Sequence, residues 1–246
     1  MKKDLYFENP LLKAFVQRAK LVIFDMNGLI VDDEAIQLES VNRIFENFNI
    51  KLDKSYWITN CVGKRADEYL TSIFKKHNIS VDVKFLTGLI ANKNQWYQTL
   101  VSQNISRLVR PGVLDIINFF SKSPVYLLSL ATSALEPELE TILGYDGLNI
   151  KHHFRHIITG AEVRRSKPDP EIYQLLSARA GIQPSRCLVF EDSGHGVTAS
   201  HRAGIPCIAV PNRFTAHQDF SNARCVVDNL TRSANIISQN RSSKLV

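Results

Sequence analysis

The sequence predicts an α/β protein: a parallel sheet covered by helices on both faces, with an all-helical insertion after its first strand. Four short apolar runs, LVIF (21–24), VYLLSLA (125–131), CLVF (187–190) and PCIAV (206–210), have the length and the β-branched or aromatic enrichment of buried strands. The amphipathic helical stretches GVLDIINFFSK, LEPELETILGY and PEIYQLLSARAG alternate with these runs. Residues 35–107 break that alternation with helical patterns alone.

Taken in order, LVIF is apolar at every position, as a strand buried on both faces of a parallel sheet must be. AIQLESVNRIFENFN, ADEYLTSIFKKHN and DVKFLTGLIANKNQWYQTLVS then read as consecutive helices, with Trp57, Trp96 and Tyr97 suited to the core of the insertion. The remaining strands and helices alternate to the end, HIIT (156–159) and CVV (225–227) being the weaker strand candidates. The tail SQNRSSKLV is polar and expected to fray.

With 246 residues, 44% hydrophobic and 22% charged, the chain has the balance of a globular protein, which excludes a disordered or fibrous one. Its formal charge of +6 comes from scattered Lys and Arg with no basic run interleaved with aromatics, which favours attraction of small anions over nucleic-acid binding. Cys61, Cys187, Cys207 and Cys225 form no CxxC pair, and three lie in strand-like runs, so buried thiols in a reducing compartment are expected. Asp4, Glu8 and Pro10 interrupt the apolar stretch a signal peptide needs, and no run approaches membrane-spanning length. A cytoplasmic protein without a membrane partner is the expectation.

In an open parallel sheet, ligands bind beyond the carboxyl ends of the strands, so the polar residues that end the apolar runs are the candidates for function. LVIF ends in Asp25-Met26-Asn27-Gly28, VYLLSLA in Thr132-Ser133 and CLVF in Glu191-Asp192-Ser193, while Lys167-Pro168-Asp169-Pro170 leads into a helix. Carboxylates, a hydroxyl and an ammonium suit phosphoryl transfer. An aspartate attacks an anionic phosphate only where a metal and a cation suppress the repulsion. Asp25 and Asp192 would hold magnesium, a hard cation that prefers oxygen ligands, and Thr132, the Ser133 amide and Lys167 would grip the phosphate.

These segments resemble the four motifs of the haloacid dehalogenase superfamily, in particular its phosphatases and mutases related to β-phosphoglucomutase. FDMNGLIVDDE stands for the first motif, LATSA for the second, SKPDPEIY for the third and VFEDSGHGVTASHRAGIPCIAV for the fourth. The resemblance implies a Rossmann-like core from residues 1–34 and 108–246 and a mobile helical cap at 35–107. It implies Asp25 as the nucleophile forming an aspartyl-phosphate, with Thr132 and Lys167 binding phosphate. Asp192 is then the main carboxylate for Mg2+, Glu191 lies close by, and the main-chain carbonyl of Asn27 is a further ligand. VGKRADEYL falls where the cap's substrate-contacting loop belongs, which makes Lys64 and Arg65 candidates for specificity. The implied partner is a small phosphorylated metabolite, a sugar phosphate foremost, bound by a monomer. A phosphomutase of the same family is the near alternative.

Asn27 departs from the family pattern, usually written DxDG, whose second acid is the general acid and base. An amide cannot protonate a leaving alkoxide or deprotonate the water that hydrolyses the intermediate. Three readings are open: a residue exchanged to trap a complex, an enzyme with another proton source, or a phosphate-binding module without turnover. Gly194-His195-Gly196-Val197-Thr198-Ala199 also matches a dinucleotide-binding fingerprint, yet PCIAVPN ends without the acidic residue such a site needs. His152, His153 and His201 lack metal-ligand spacing and fit surface or packing roles.

Overall fold

The computed structural model describes residues 6–239, so the N-terminal lysines and most of the tail expected to fray lie outside the described residues. Helix α1 (Pro10–Arg18) starts where the Asn9 side chain accepts from the amides of Leu11 and Leu12, with Pro10 in the first turn. Strand β1 (Leu21–Phe24) follows, buried at every residue. The helical segment then supplies α2 (Glu34–Phe45), α3 (Lys54–Asn60), α4 (Ala66–Lys76) and α5 (Val83–Leu108). Asp53 and Asp82 cap α3 and α5 by accepting from the amides of Tyr56 and Phe85, each at 2.7 Å.

The second half alternates as its sequence predicts. Helix α6 (Val113–Ser121) leads to β2 (Leu127–Ala131), α7 (Glu136–Leu143) to β3 (His156–Ile158), and α8 (Glu171–Ala180) to β4 (Cys187–Glu191). Helix α9 (Gly194–Arg202), β5 (Cys207–Ala209), β6 (Cys225–Val227) and β7 (Ile236–Gln239) complete the described chain. The sheet order is β3-β2-β1-β4-β5-β6-β7, parallel except for β7. Two apolar clusters cover its faces, one centred on Phe24, Phe120 and Phe190, the other on Ile23, Val189 and Tyr173.

A third cluster fills the helices between β1 and β2, built on Phe45, Trp57, Leu70 and Phe74, with Phe214 joining from the sheet side. That helical segment therefore has a core of its own. Several element boundaries differ from the sequence expectation. The helical patterns read from the sequence mark neither α1 nor α3, which span only nine and seven residues. The α2 segment stops at Phe45, and a 3₁₀ turn then ends at Asn49 in the left-handed region, φ +52°. Helix α5 runs past the polar SQNISR because Val101, Ile105 and Leu108 still pack on the sheet's core. The tail's first residues, Ser238 and Gln239, are held in β7 by antiparallel pairing with β6. The four cysteines are buried and unpaired.

Candidate active site

β1 lies between β2 and β4, with Phe24 in register with Leu130 on one side and Phe190 on the other. The residues just beyond these positions, Asp25, Thr132 and Glu191, therefore meet at one end of the sheet. Lys167, from the loop before α8, closes the group: its ammonium donates to Asp25 Oδ1 at 2.6 Å, Glu191 Oε1 at 2.7 Å and the Ala131 carbonyl at 3.2 Å. Asp25 Oδ2 takes no hydrogen bond among the described residues, so one carboxylate oxygen is pinned and the other is open.

Glu191 is an anchor. Its Oε1 also accepts from the Tyr173 hydroxyl at 2.9 Å, and its Oε2 accepts from the amides of Asp192 and Ser193 and the Ser193 hydroxyl, all at 3.0 Å. Two glycines fit this packing. A Cβ on Gly196 would lie 1.7 Å from Glu191 Oε1, and one on Gly28, whose φ is +79°, would lie 2.2 Å from Asp192 Oδ2. The loop after β1 thus presses on Asp192, whose Oδ2 also accepts from Asn212 Nδ2 at 2.8 Å.

The electrostatics separate the acids. Burial pushes the Asp25 carboxyl up to about 7 against the pull of Lys167, with Glu191 adding to the rise. Burial, then the charges of Glu191 and Asp25, push Asp192 up as well. Burial works against the Glu191 carboxylate too, but Lys167 and its other donors hold it below the usual range. For Lys167, the two carboxylates outweigh burial and raise its pKa.

Oxygens of Asp25, Glu191 and Asp192 lie within 4.8 Å of one another. Such a set of buried oxygen donors, two of them short of positive charge, suits a hard divalent cation. Because five donors already occupy Glu191, direct ligation by that residue would require displacing some of them. Asp25 and Asp192 are the carboxylates with room for a cation.

A second polar cluster surrounds Asn27. Its Nδ2 donates to Asp33 Oδ2 and Glu138 Oε1, each at 2.7 Å, and lies 3.2 Å from the Tyr97 hydroxyl. Tyr97 donates to Asp33 Oδ2 at 2.6 Å, and Gln37 Nε2 reaches both Asp33 and Glu138. Beside them, Glu34 Oε2 accepts from Trp57 Nε1 at 2.8 Å, and Lys93 is buried. Burial pushes the Glu34 carboxyl up to about 7, with Asp33 adding to the rise.

The two clusters share one cavity of about 500 Å³ between the sheet end and the helical segment. Thr132 and Ser133 line its floor, and Thr132 Oγ1 also accepts from the Ala134 amide at 3.0 Å. Lys64 and Arg65 line it from the helical side, both exposed, and Arg65 is paired with Asp67 at 3.1 Å. All nine residues singled out from the sequence border this cavity or the carboxylate group at its base. His195, from the fingerprint-like segment, borders it too, and Gly63 packs close enough that a Cβ there would be 2.9 Å from His195 Nδ1. His152, His153 and His201 do not line it.

Sequence reasoning missed Asp33, Glu34, Lys93 and Glu138, and gave Tyr97 only a packing role. Lys93, Tyr97 and Val101 form a stripe at i, i+4 and i+8 on α5. A lysine on an otherwise apolar stripe is a detectable signal, since unpaired lysine is rarely buried. Nothing local marks Glu138, which stands in the first turn of α7 where acids are common.

Residues 22–210 match the family model of the haloacid dehalogenase-like hydrolases. A Thermotoga maritima protein named phosphorylated carbohydrates phosphatase is 31% identical over 185 residues, covering 75% of this chain and 81% of that one. The fructose-1-phosphate phosphatase YqaB of Escherichia coli is 24% identical over 189 residues, covering 77% and 95%. Among solved structures, an aspartate-to-asparagine mutant of CbbY from Rhodobacter sphaeroides, in complex with xylulose-1,5-bisphosphate, superposes with a TM-score of 0.79 at 22% identity. It covers 86% of this chain and 95% of that one.

Proposed function

The chain belongs to the haloacid dehalogenase-like hydrolases, and from that premise we propose that it hydrolyses small phosphomonoesters, sugar phosphates foremost, through an aspartyl-phosphate on Asp25. The observation that carries the reading is the Asp25 carboxylate itself: Oδ1 is held by Lys167, while Oδ2 is open at the base of a cavity of about 500 Å³. That space suits a small phosphorylated metabolite. The two relatives named as phosphatases of phosphorylated carbohydrates support the substrate class.

In this scheme Asp25 Oδ2 attacks phosphorus, and the bond to the ester oxygen breaks as the new oxygen–phosphorus bond forms. Water then attacks the aspartyl-phosphate, releasing inorganic phosphate and restoring the carboxylate. Lys167, already bonded to Asp25, offsets the charge that gathers on the phosphoryl oxygens, and Thr132 and the Ser133 amide orient them. Asp25, Asp192 and the Asn27 main-chain carbonyl would hold Mg2+, which when bound supplies charge neutralisation at the phosphate. The helical segment acts as a cap that keeps bulk water from the site, with Lys64 and Arg65 facing the leaving group.

Asn27 makes this a slow enzyme. General acid–base catalysis typically contributes roughly 10²–10⁴ in rate, and the amide supplies none of it. Esters with good leaving groups lose least, because they need the missing proton least. The test is a panel of phosphate esters assayed with Mg2+ and after chelation. Turnover of sugar phosphates that disappears on chelation is expected. Turnover that survives chelation would contradict the metal assignment, and binding without turnover of any ester would contradict the hydrolase reading.

A further inference from the structure

Lys93 is 4% exposed, yet its ammonium makes no hydrogen bond and no ion pair among the described residues. Its nearest described partner is the face of the Tyr97 ring, 5.0 Å from Nζ to the centroid. The Nζ is not sealed off like a fully buried unpaired atom, so its three donors have no protein acceptor and stay open to the cavity. Burial pulls its pKa down, and the carboxylates of Glu138, Asp33 and Glu34 pull it back up. The side chain lines the cavity above Asp25 together with Glu34 and Glu138. Each of those carboxylates has one oxygen engaged, Glu34 Oε2 by Trp57 and Glu138 Oε1 by Asn27 and Gln37. Their other oxygens, like the ammonium, take no hydrogen bond among the described residues.

We propose that Lys93, Glu34 and Glu138 form a subsite for an uncharged polyhydroxyl leaving group, so that the substrate is a polyol or sugar monophosphate and not a bisphosphate. The inference rests on the phosphatase reading and narrows it. A hydroxyl both accepts and donates, so neighbouring hydroxyls satisfy an ammonium and two carboxylates at once. A second phosphate would satisfy only the ammonium and would meet three carboxylates, Asp33, Glu34 and Glu138, at close quarters. An apolar leaving group would leave all of them unpaired, a penalty that strongly disfavours substrates lacking the hydroxyls.

The test uses the full chain carrying Asp25→Asn, which cannot turn over, with Mg2+ present. Calorimetry measures the affinity for sorbitol 6-phosphate, for phenyl phosphate, and for fructose 1,6-bisphosphate. Sorbitol 6-phosphate is expected to bind best of the three. Adding Lys93→Met should weaken it by about tenfold or more relative to phenyl phosphate, the scale of losing a hydrogen bond to a charged group. Glu34→Gln preserves the shape of the side chain and should shift the same ratio by a smaller factor; it decides the matter if Lys93→Met does not fold. Equal weakening of both monoesters, or tighter binding of the bisphosphate, would overturn the inference. Turnover by the parent enzyme is measured in parallel. Selective binding without turnover sinks the hydrolase reading and leaves the subsite standing. Turnover without selectivity does the reverse.

Discussion

The cavity joins two polar clusters, each of three carboxylates and one lysine, that differ in how those charges are paired. Around Lys167, the ammonium binds two carboxylates directly and Glu191 is satisfied by five donors. Around Asn27, three carboxylates and a lysine share the space without an ion pair among the described residues, and the neutral amide bridges two of the acids. The first cluster is preorganised, with Asp25 and Glu191 paired directly to one ammonium, as a nucleophile and its counterion require. The second is incompletely satisfied, as a binding surface awaiting a ligand would be. The contrast also changes the meaning of Asn27: two carboxylate oxygens at 2.7 Å need a donor there, and the amide is one.

Asn27→Asp probes the contrast most sharply. Turnover of alkyl phosphates is expected to rise by roughly 10²–10⁴, and that of p-nitrophenyl phosphate much less, because only the poor leaving group needs the proton. The new acid faces Asp33 and Glu138, so its folded pKa should be raised and the variant should lose stability as pH rises. Equal gains for both esters would contradict the assignment of position 27 to proton transfer.

Lys167→Met tests the directly paired cluster. It leaves Asp25 and Glu191 buried without their cation and should cost about 3–5 kcal/mol in denaturant unfolding without metal. A loss below about 1 kcal/mol would mean that the pairs contribute little, as exposed ones do.

Glu34→Gln probes the cluster around Asn27. In the folded protein the Glu34 carboxyl is raised to about 7, so the native state holds a proton that the unfolded chain releases nearer 4.5. This group's contribution is therefore lost as pH rises through that interval, by up to about 3 kcal/mol. The variant should flatten the fall in stability between those limits. An unchanged pH profile would show that Glu34 ionises freely in the folded state.

Much of this was legible because it depends on short runs. LVIF and CLVF are apolar throughout, since central parallel strands are buried on both faces, and their last residues mark the floor of the site. Asp25, Thr132 and Asp192 could be singled out from the ends of apolar runs, and Lys167 from the loop that leads into α8. The Asn27 surroundings could not. Tyr97 lies 70 residues from Asn27 in sequence and Glu138 lies 111, and only the packing of α5 and α7 brings them together. The ends of α2 and α5 were likewise decided by tertiary contacts and by a left-handed asparagine, which helical periodicity does not encode.

The most direct test of the central claim is to look for the covalent intermediate. The enzyme is mixed with Mg2+ and a sugar phosphate, quenched in acid, and its peptides weighed, with Asp25→Asn beside it. A phosphoryl group on the peptide containing Asp25, absent from the variant along with turnover, is the expected result. Turnover that continues in Asp25→Asn with no phosphorylated peptide would contradict the account.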